Sequence, residues 1–405
     1  MNTREQVINY VRHLVDLTFL DDEMRARPTK VQTAVSTTCN LKCPLCLRES
    51  MGIRENLFMD FGEFERKLPE LEEAACVSLF GLGEPFLHPR FFEFVEACKA
   101  RRISVATSTH GMSLTPEVRE RLVAVGLDDL HISMDGTTRA VFERLRAGAK
   151  FDTVVEQVTA LAALKRERGV DRPRLNVNMT LSKYNVRQAP AMARLAHRMG
   201  CQSVSYSSAV AYKPEDEDIS VLDTPIIERM LQRAKVLADR LGLGFSFWRQ
   251  KAVGYRGELY DQTSAYGCVQ LNGDMTIERN GRMKMCCYIE EDIEDVWGEG
   301  PAAAFNGPNM RAARRKLREG RVRTECQGCL YLRERTPFWV QSLLNEAQRV
   351  VTHNHLLTEE DRAELRRLLA ETQARKDAMW PEHGGGASAQ DSAGAALAHE
   401  VATVY

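Results

Sequence analysis

Cys39-Asn-Leu-Lys-Cys43-Pro-Leu-Cys46 places three cysteines at C-x3-C-x2-C spacing, directly after an apolar, β-branched run at 31–38. Three thiolates this close in sequence wrap one soft metal centre, and Pro44 stiffens the loop by fixing its own φ. Closed metal sites mostly take four protein ligands. A three-thiolate loop with no evident fourth ligand therefore points to a [4Fe–4S] cluster with one iron left open. A zinc knuckle lacking its fourth ligand is the alternative.

Outward from this loop, apolar runs alternate with helical patterns. Strands are expected at 31–38, 76–81, 103–109, 129–134, 175–181 and 203–209. Helices are expected at 62–75, 90–101, 115–125, 138–145 with 151–168, and 189–199. Such alternation means parallel strands with crossover helices, and six βα units fit a partial TIM-like barrel. The fold class is α/β. In barrels the chemistry sits where strands end. The cysteine loop follows strand one, Gly83-Glu84-Pro85 strand two, and Asp135-Gly136 strand four. A helix near 225–241 and an aromatic run at 244–248 complete the barrel region.

The flanks read differently. Val7, Tyr10, Val11, Leu14, Val15 and Leu17 mark one amphipathic helix, expected to cover part of the barrel. Glycines are frequent at 249–335 and strands are short. Helices follow at 338–351 and 359–376. The resulting divisions are a lead-in at 1–30, a barrel at 31–248, a second cysteine-bearing domain at 249–335, C-terminal helices at 336–380 and a tail at 381–405. The tail, rich in Gly, Ala and Ser, cannot bury enough surface to order itself.

The net charge is −1 at pH 7, so no bulk field draws nucleic acid or acidic membranes. No membrane span and no signal-peptide core are visible, and a cytoplasmic location is expected. Eleven cysteines in such a chain fit metal binding better than disulfides. Cys76, Cys98 and Cys201 fall in or near barrel elements and read as packed thiols.

Taken together, the cysteine loop, Ser78-Leu-Phe-Gly-Leu-Gly-Glu-Pro85 and His131-Ile-Ser-Met-Asp-Gly136 resemble the radical S-adenosylmethionine (SAM) superfamily, over about residues 30–335. The resemblance implies that the open iron binds the amino and carboxylate groups of SAM, whose reductive cleavage gives a 5′-deoxyadenosyl radical. It implies Leu45 against adenine, and Gly81, Gly83 and Glu84 around the SAM amino group. A tight turn with a solvated Glu84 is the alternative. Close backbone approach needs glycine, and a carboxylate accepts from an ammonium. Ser133 and Asp135 correspond to a strand-four end near the ribose or carboxylate of SAM. Arg146 corresponds to an arginine that pairs with that carboxylate, a bidentate task suited to a guanidinium; otherwise it is a solvated helix charge. Asn178 either faces the ribose or is a polar core residue. Many relatives end strand three in Thr-Asn-Gly, where this chain has Thr109-His110-Gly111; His110 touches a ligand or caps the turn.

A second set, Cys268, Cys286, Cys326 and Cys329, resembles the start of a SPASM domain. A full SPASM domain continues with further cysteines. Here the position expected next is Arg335, and no cysteine follows Cys329. That fits the shortened variant called twitch, with one auxiliary [4Fe–4S] cluster. Four thiolates also suit structural zinc. Cys287 could replace Cys286 as ligand, donate hydrogen to a substrate radical, or simply pack.

The function expected is a radical SAM oxidoreductase that abstracts hydrogen and dehydrogenates a small-molecule intermediate, with the auxiliary cluster as electron acceptor. The alternatives are peptide modification, redox-neutral epimerisation, or a non-enzymatic iron–sulfur or zinc scaffold. Too few residues precede strand one for a leader-recognition domain, which weighs against a peptide. The partners implied are a small-molecule or peptide substrate and an electron donor such as flavodoxin or ferredoxin.

Overall fold

The computed structural model describes residues 1–209, 225–248, 264–286, 289–323, 326, 329 and 332–381. The strands are β1 (Lys30–Thr33), β2 (Cys76–Ser78), β3 (Ser104–Thr109), β4 (Asp129–Ser133), β5 (Arg174–Leu181), β6 (Ser203–Ser208), β7 (Gly244–Trp248), β8 (Tyr266–Cys268), β9 (Asp274–Ile277), β10 (Arg282–Cys286), β11 (Ile289–Asp295) and β12 (Leu332–Glu334). Strands β1 to β7 are parallel and adjacent in chain order, each crossover carrying a helix back over one face.

The second cysteine segment shares this sheet. β9 runs parallel beside β1, and β10 and β11 add antiparallel. β7 and β11 are the outer strands of the ten-stranded sheet, so it is open. Among the described residues β8 pairs with β12 alone. The expected run at 244–248 thus becomes a seventh parallel strand. Cys287 and the tail beyond 381 lie outside the described residues.

Three expected elements are clearly shorter in the structure, the second strand ending at Ser78 rather than at 81. The first strand ends at Thr33, where the chain turns toward 57–59: Met59 N–H donates to the Val35 carbonyl, and Ser36 bridges to Phe58. The helix expected at 62–75 runs only Phe61–Lys67 and tightens into a 3-10 turn at Leu68–Leu71. Pro69 has no N–H to continue an α-helical ladder.

On the helix-facing side of the sheet, Val31, Val77, Val105, Leu130, Ile132, Val177 and Val204 are fully buried. Their alternate neighbours point to the inner face and are mostly polar, and toward the C-terminal ends of β4 to β7 they are serines and asparagines. Ser133 on β4 is level with Asn178 on β5, Asn178 with Ser205 on β6, and Ser205 with Ser246 on β7. All four are half-buried. An ordinary TIM barrel fills this space with branched apolar residues; here it is a hydrogen-bonding surface.

The N-terminal helix Arg4–Phe19 lies against the barrel, Gln6 donating to the Glu72 and Arg102 carbonyls and Asn9 to those of Arg27 and Glu73, and its apolar stripe finds a second partner. It packs on the C-terminal helix Pro337–His353, so that Val7, Tyr10, Val11 and Leu14 share an apolar cluster with Val340, Leu343, Leu344 and Ala347. Arg314 ties this end to the second cysteine segment. Its buried guanidinium donates to the carbonyls of Leu271 (3.1 Å), Phe305 (2.8 Å) and Asp22 (3.2 Å), and to Asn306 Oδ1 (2.9 Å). Leu14→Ala should therefore cost about 2–5 kcal/mol through the cavity it leaves. Urea denaturation measures this, and an unchanged midpoint would mean the two terminal helices do not hold each other.

Candidate functional site

The cysteine loop is mounted on the ends of several strands. Glu84 N–H, after β2, donates to the Thr38 carbonyl at 2.8 Å. His110, at the end of β3, meets Asn40 Oδ1 with Nε2 at 2.8 Å. Lys42 N–H, inside the loop, donates to the Ala147 carbonyl at 2.9 Å. Leu41 is buried beneath the loop against Gly148. Arg48, just after Cys46, donates its Nε to the Thr37 carbonyl at 2.7 Å. Cys39, Cys43 and Cys46 are all half-buried, with Leu45 half-buried between the last two.

Gly81 and Gly83 are dictated by contact. A Cβ on Gly81 would lie 2.5 Å from the Ala34 Cβ, and one on Gly83 would lie 2.5 Å from the Ser36 carbonyl oxygen and 2.7 Å from that of Thr38. The Glu84 carboxylate accepts from Thr109 Oγ1 (2.8 Å) and His110 N–H (2.9 Å), and only 2% of the residue is exposed. It is not solvated; it locks the β2 turn to the end of β3. Burial pushes its pKa up to about 7, against the hydrogen bonds that favour the charged form.

Asp135 and Arg146 form a buried pair at 2.6 Å. Asp135 Oδ1 also accepts from Thr180 N–H (2.7 Å). Asn185, fully buried, donates to the Asp135 carbonyl (2.9 Å) and the Thr180 carbonyl (2.7 Å). Burial opposes the charge of Arg146. Asp135 and the Cys43 and Cys46 thiols outweigh it, so the guanidinium is held protonated more firmly than usual. Arg146 is therefore no solvated helix charge. Ser133 Oγ lies 3.4 Å from Ser108 Oγ, and the Asn178 side chain faces the His131 ring on the neighbouring strand.

Burial raises two thiols of the loop, Cys43 to about 11 and Cys39 above its ordinary value, against Arg146 and the Leu41 N–H, which favour the respective thiolates. Three such thiols become thiolates together only against a cation, as cluster iron provides. In the second set, burial and the nearby Cys329, Cys286 and Cys326 thiols hold the Cys268 thiol well above its ordinary range. A cavity of about 130 Å³ is lined by Cys268, Cys286, Cys326, Leu271 and Met285. Among the described residues no three His, Cys, Asp or Glu converge as a single ion requires.

Residues 33–208 match the family model of the radical SAM superfamily. They form a radical SAM domain. Over 210 residues the chain is 28% identical to the tungsten-containing aldehyde ferredoxin oxidoreductase cofactor-modifying protein of Pyrococcus furiosus, covering 49% of this chain and 58% of that protein. It is 33% identical over 163 residues to the mycofactocin maturase MftC of Mycobacterium tuberculosis, covering 40% of each. The chain thus spans about half the length of these relatives. The fold resembles that of Streptococcus suis SuiB, with a TM-score of 0.60 at 15% identity over 78% of this chain and 74% of that one. No described helix is long and apolar enough to cross a membrane.

A radical SAM domain takes a [4Fe–4S] cluster and SAM, and the thiol trio fits that cluster. An auxiliary cluster is typical of SPASM relatives, and the second thiol set fits one. Asn40, Thr109 and Asn185 were missed in the sequence; each is a short polar residue whose partner only the fold supplies. His110 was noticed without a partner to choose between its two roles. In this domain Gly83→Ala should push the Thr38 segment away and cost on the order of 1–3 kcal/mol. It should also lower iron uptake, read as iron per chain after anaerobic reconstitution. Wild-type iron and stability in that variant would show that the close approach is not needed.

Proposed function

We propose that this chain is a radical SAM enzyme of the SPASM group that takes hydrogen from a C–H bond of a peptide or other amide-rich precursor. When bound, the cluster and SAM supply an electron and an adenosyl radical able to abstract such a hydrogen. Cys39, Cys43 and Cys46 would hold the cluster. Arg146, steadied by Asp135, offers a cation beside the thiols for the SAM carboxylate. Ser133 and Asn178 offer hydrogen bonds for its ribose, Leu45 an apolar surface for adenine, and the turn at Gly81 and Gly83 backbone groups for its amine. Cys268, Cys286, Cys326 and Cys329 would hold the auxiliary cluster, which accepts or relays an electron. An external one-electron donor such as flavodoxin or ferredoxin completes the set of partners.

The observation that carries this reading is the assembly of the thiol loop, the glycine turn and the Asp135–Arg146 pair at the C-terminal ends of neighbouring parallel strands. The substrate class rests on two further supports. One is the uncharged hydrogen-bonding pair Ser205 and Ser246, beside the residues offered to SAM, which suits amide groups. The other is similarity to a protein named a maturase. This reverses the order expected from the sequence, where dehydrogenation of a small molecule came first. That remains the second reading, because a closed four-thiol set can take an electron from either kind of substrate radical.

The test is anaerobic incubation of reconstituted protein with dithionite and SAM. Wild type should form 5′-deoxyadenosine, and Cys39→Ala should form none above background. With a precursor peptide encoded beside the gene, deoxyadenosine should rise together with a peptide product changed in mass. Turnover of a free sugar or cyclitol with no peptide consumed would overturn the substrate class, and cleavage by Cys39→Ala would overturn the site.

A further inference from the structure

At the end of β3 the chain carries His110 where the resemblance leads one to expect asparagine, and the geometry gives that histidine a task. Its ring is fixed from both nitrogens. Nδ1 accepts from Met112 N–H at 3.0 Å, so it carries no proton. Nε2 therefore bears the hydrogen and donates to Asn40 Oδ1 at 2.8 Å, the nearer of its two acceptors, with Glu84 Oε2 at 3.4 Å. The backbone beneath is fixed as well. His110 N–H donates to Glu84 Oε2, and Thr109 Oγ1 donates to Glu84 Oε1 while accepting from Gly111 N–H at 3.1 Å. Gly111 takes φ +82°, which frees the turn to close. The residue is only 5% exposed. Burial, then Arg146, pushes its pKa down to about 4, in keeping with a neutral ring.

Asn40 stands between Cys39 and Leu41. The rest of the loop is held through backbone groups at Thr38 and Lys42 and by the burial of Leu41. The donor of His110 is the contact that grips the loop by a side chain between its first two cysteines. Glu84, which grips His110 from behind, also donates its own N–H to Thr38. One buried carboxylate thus ties the glycine turn, the β3 end and the cysteine loop together.

We propose that His110, through Asn40, is a positioning residue for the cluster-binding loop, setting the orientation of Cys39 relative to Cys43 and Cys46 and so the electronic environment of the cluster they hold. The proposal rests on the radical SAM reading of the site. A four-carbon-atom reach with an N–H at its tip is what the position needs. Glutamine supplies that N–H; alanine does not.

The test uses the full-length reconstituted protein, reduced with dithionite, and follows the EPR signal that changes when SAM is added, together with its midpoint potential. His110→Ala and Asn40→Ala should each shift the SAM-responsive signal and the potential in the same direction. The double variant should shift no further than the larger single, because both remove one interaction. His110→Gln should keep the wild-type signal. If His110→Ala takes up no iron at this site, iron restored in His110→Gln and lowered in Asn40→Ala supports the same conclusion. An unaltered signal in His110→Ala, additive shifts in the double variant, or His110→Gln failing while Asn40→Ala behaves as wild type would overturn it. A wild-type protein without any SAM-responsive signal would instead overturn the reading of the site itself.

Discussion

Everything at the site depends on one close approach of backbone to backbone. The turn after β2 lies against the segment after β1 so tightly that no side chain fits at Gly81 or Gly83, and Glu84 N–H reaches the Thr38 carbonyl across it. That contact fixes where the strand ends and the cysteine loop begins. Parallel pairing of β1 with β2 on one side and β9 on the other holds the segment from below. The loop is thus positioned by a segment paired on both sides and closed by a backbone contact, the support a cluster with three protein ligands requires of its scaffold.

Charge is handled in the same economical way. Asp135 and Arg146 neutralise each other where burial would penalise either alone, and Asn185 satisfies the backbone behind them. His110 stays neutral between an amide and an N–H. What remains is the trio of half-buried thiols, the part built to receive a positively charged inorganic core.

Much of this was legible in the sequence. Strand and helix alternate with the right periods from β1 to β6, because each strand buries one face of branched residues under a helix. The ligand spacing, the glycine turn and the basic residue after the fourth strand stand out for the same reason: their chemistry restricts which residues can be there. Other features were not legible. Pairing of β9 with β1 joins segments far apart in the chain and leaves no local pattern. The N-terminal helix shows an apolar stripe, but a stripe does not say whether the barrel or the Pro337–His353 helix will cover it. That Glu84 also braces the end of β3 was not legible, because sequence does not reveal that Thr109 and His110 donate to its oxygens. The polar inner face is spread over four strands as single serines and asparagines, each unremarkable until the register sets them side by side.

The central claim is that the chain holds two separate iron–sulfur clusters, one on each thiol set. The most direct test is iron and sulfide analysis with Mössbauer spectroscopy on anaerobically reconstituted protein. The account predicts about eight iron and eight sulfide per chain, as two four-iron clusters, and about half of each in a triple Cys39/Cys43/Cys46→Ala variant. Zinc in place of iron in the wild type, or loss of all iron in the triple variant, would contradict it.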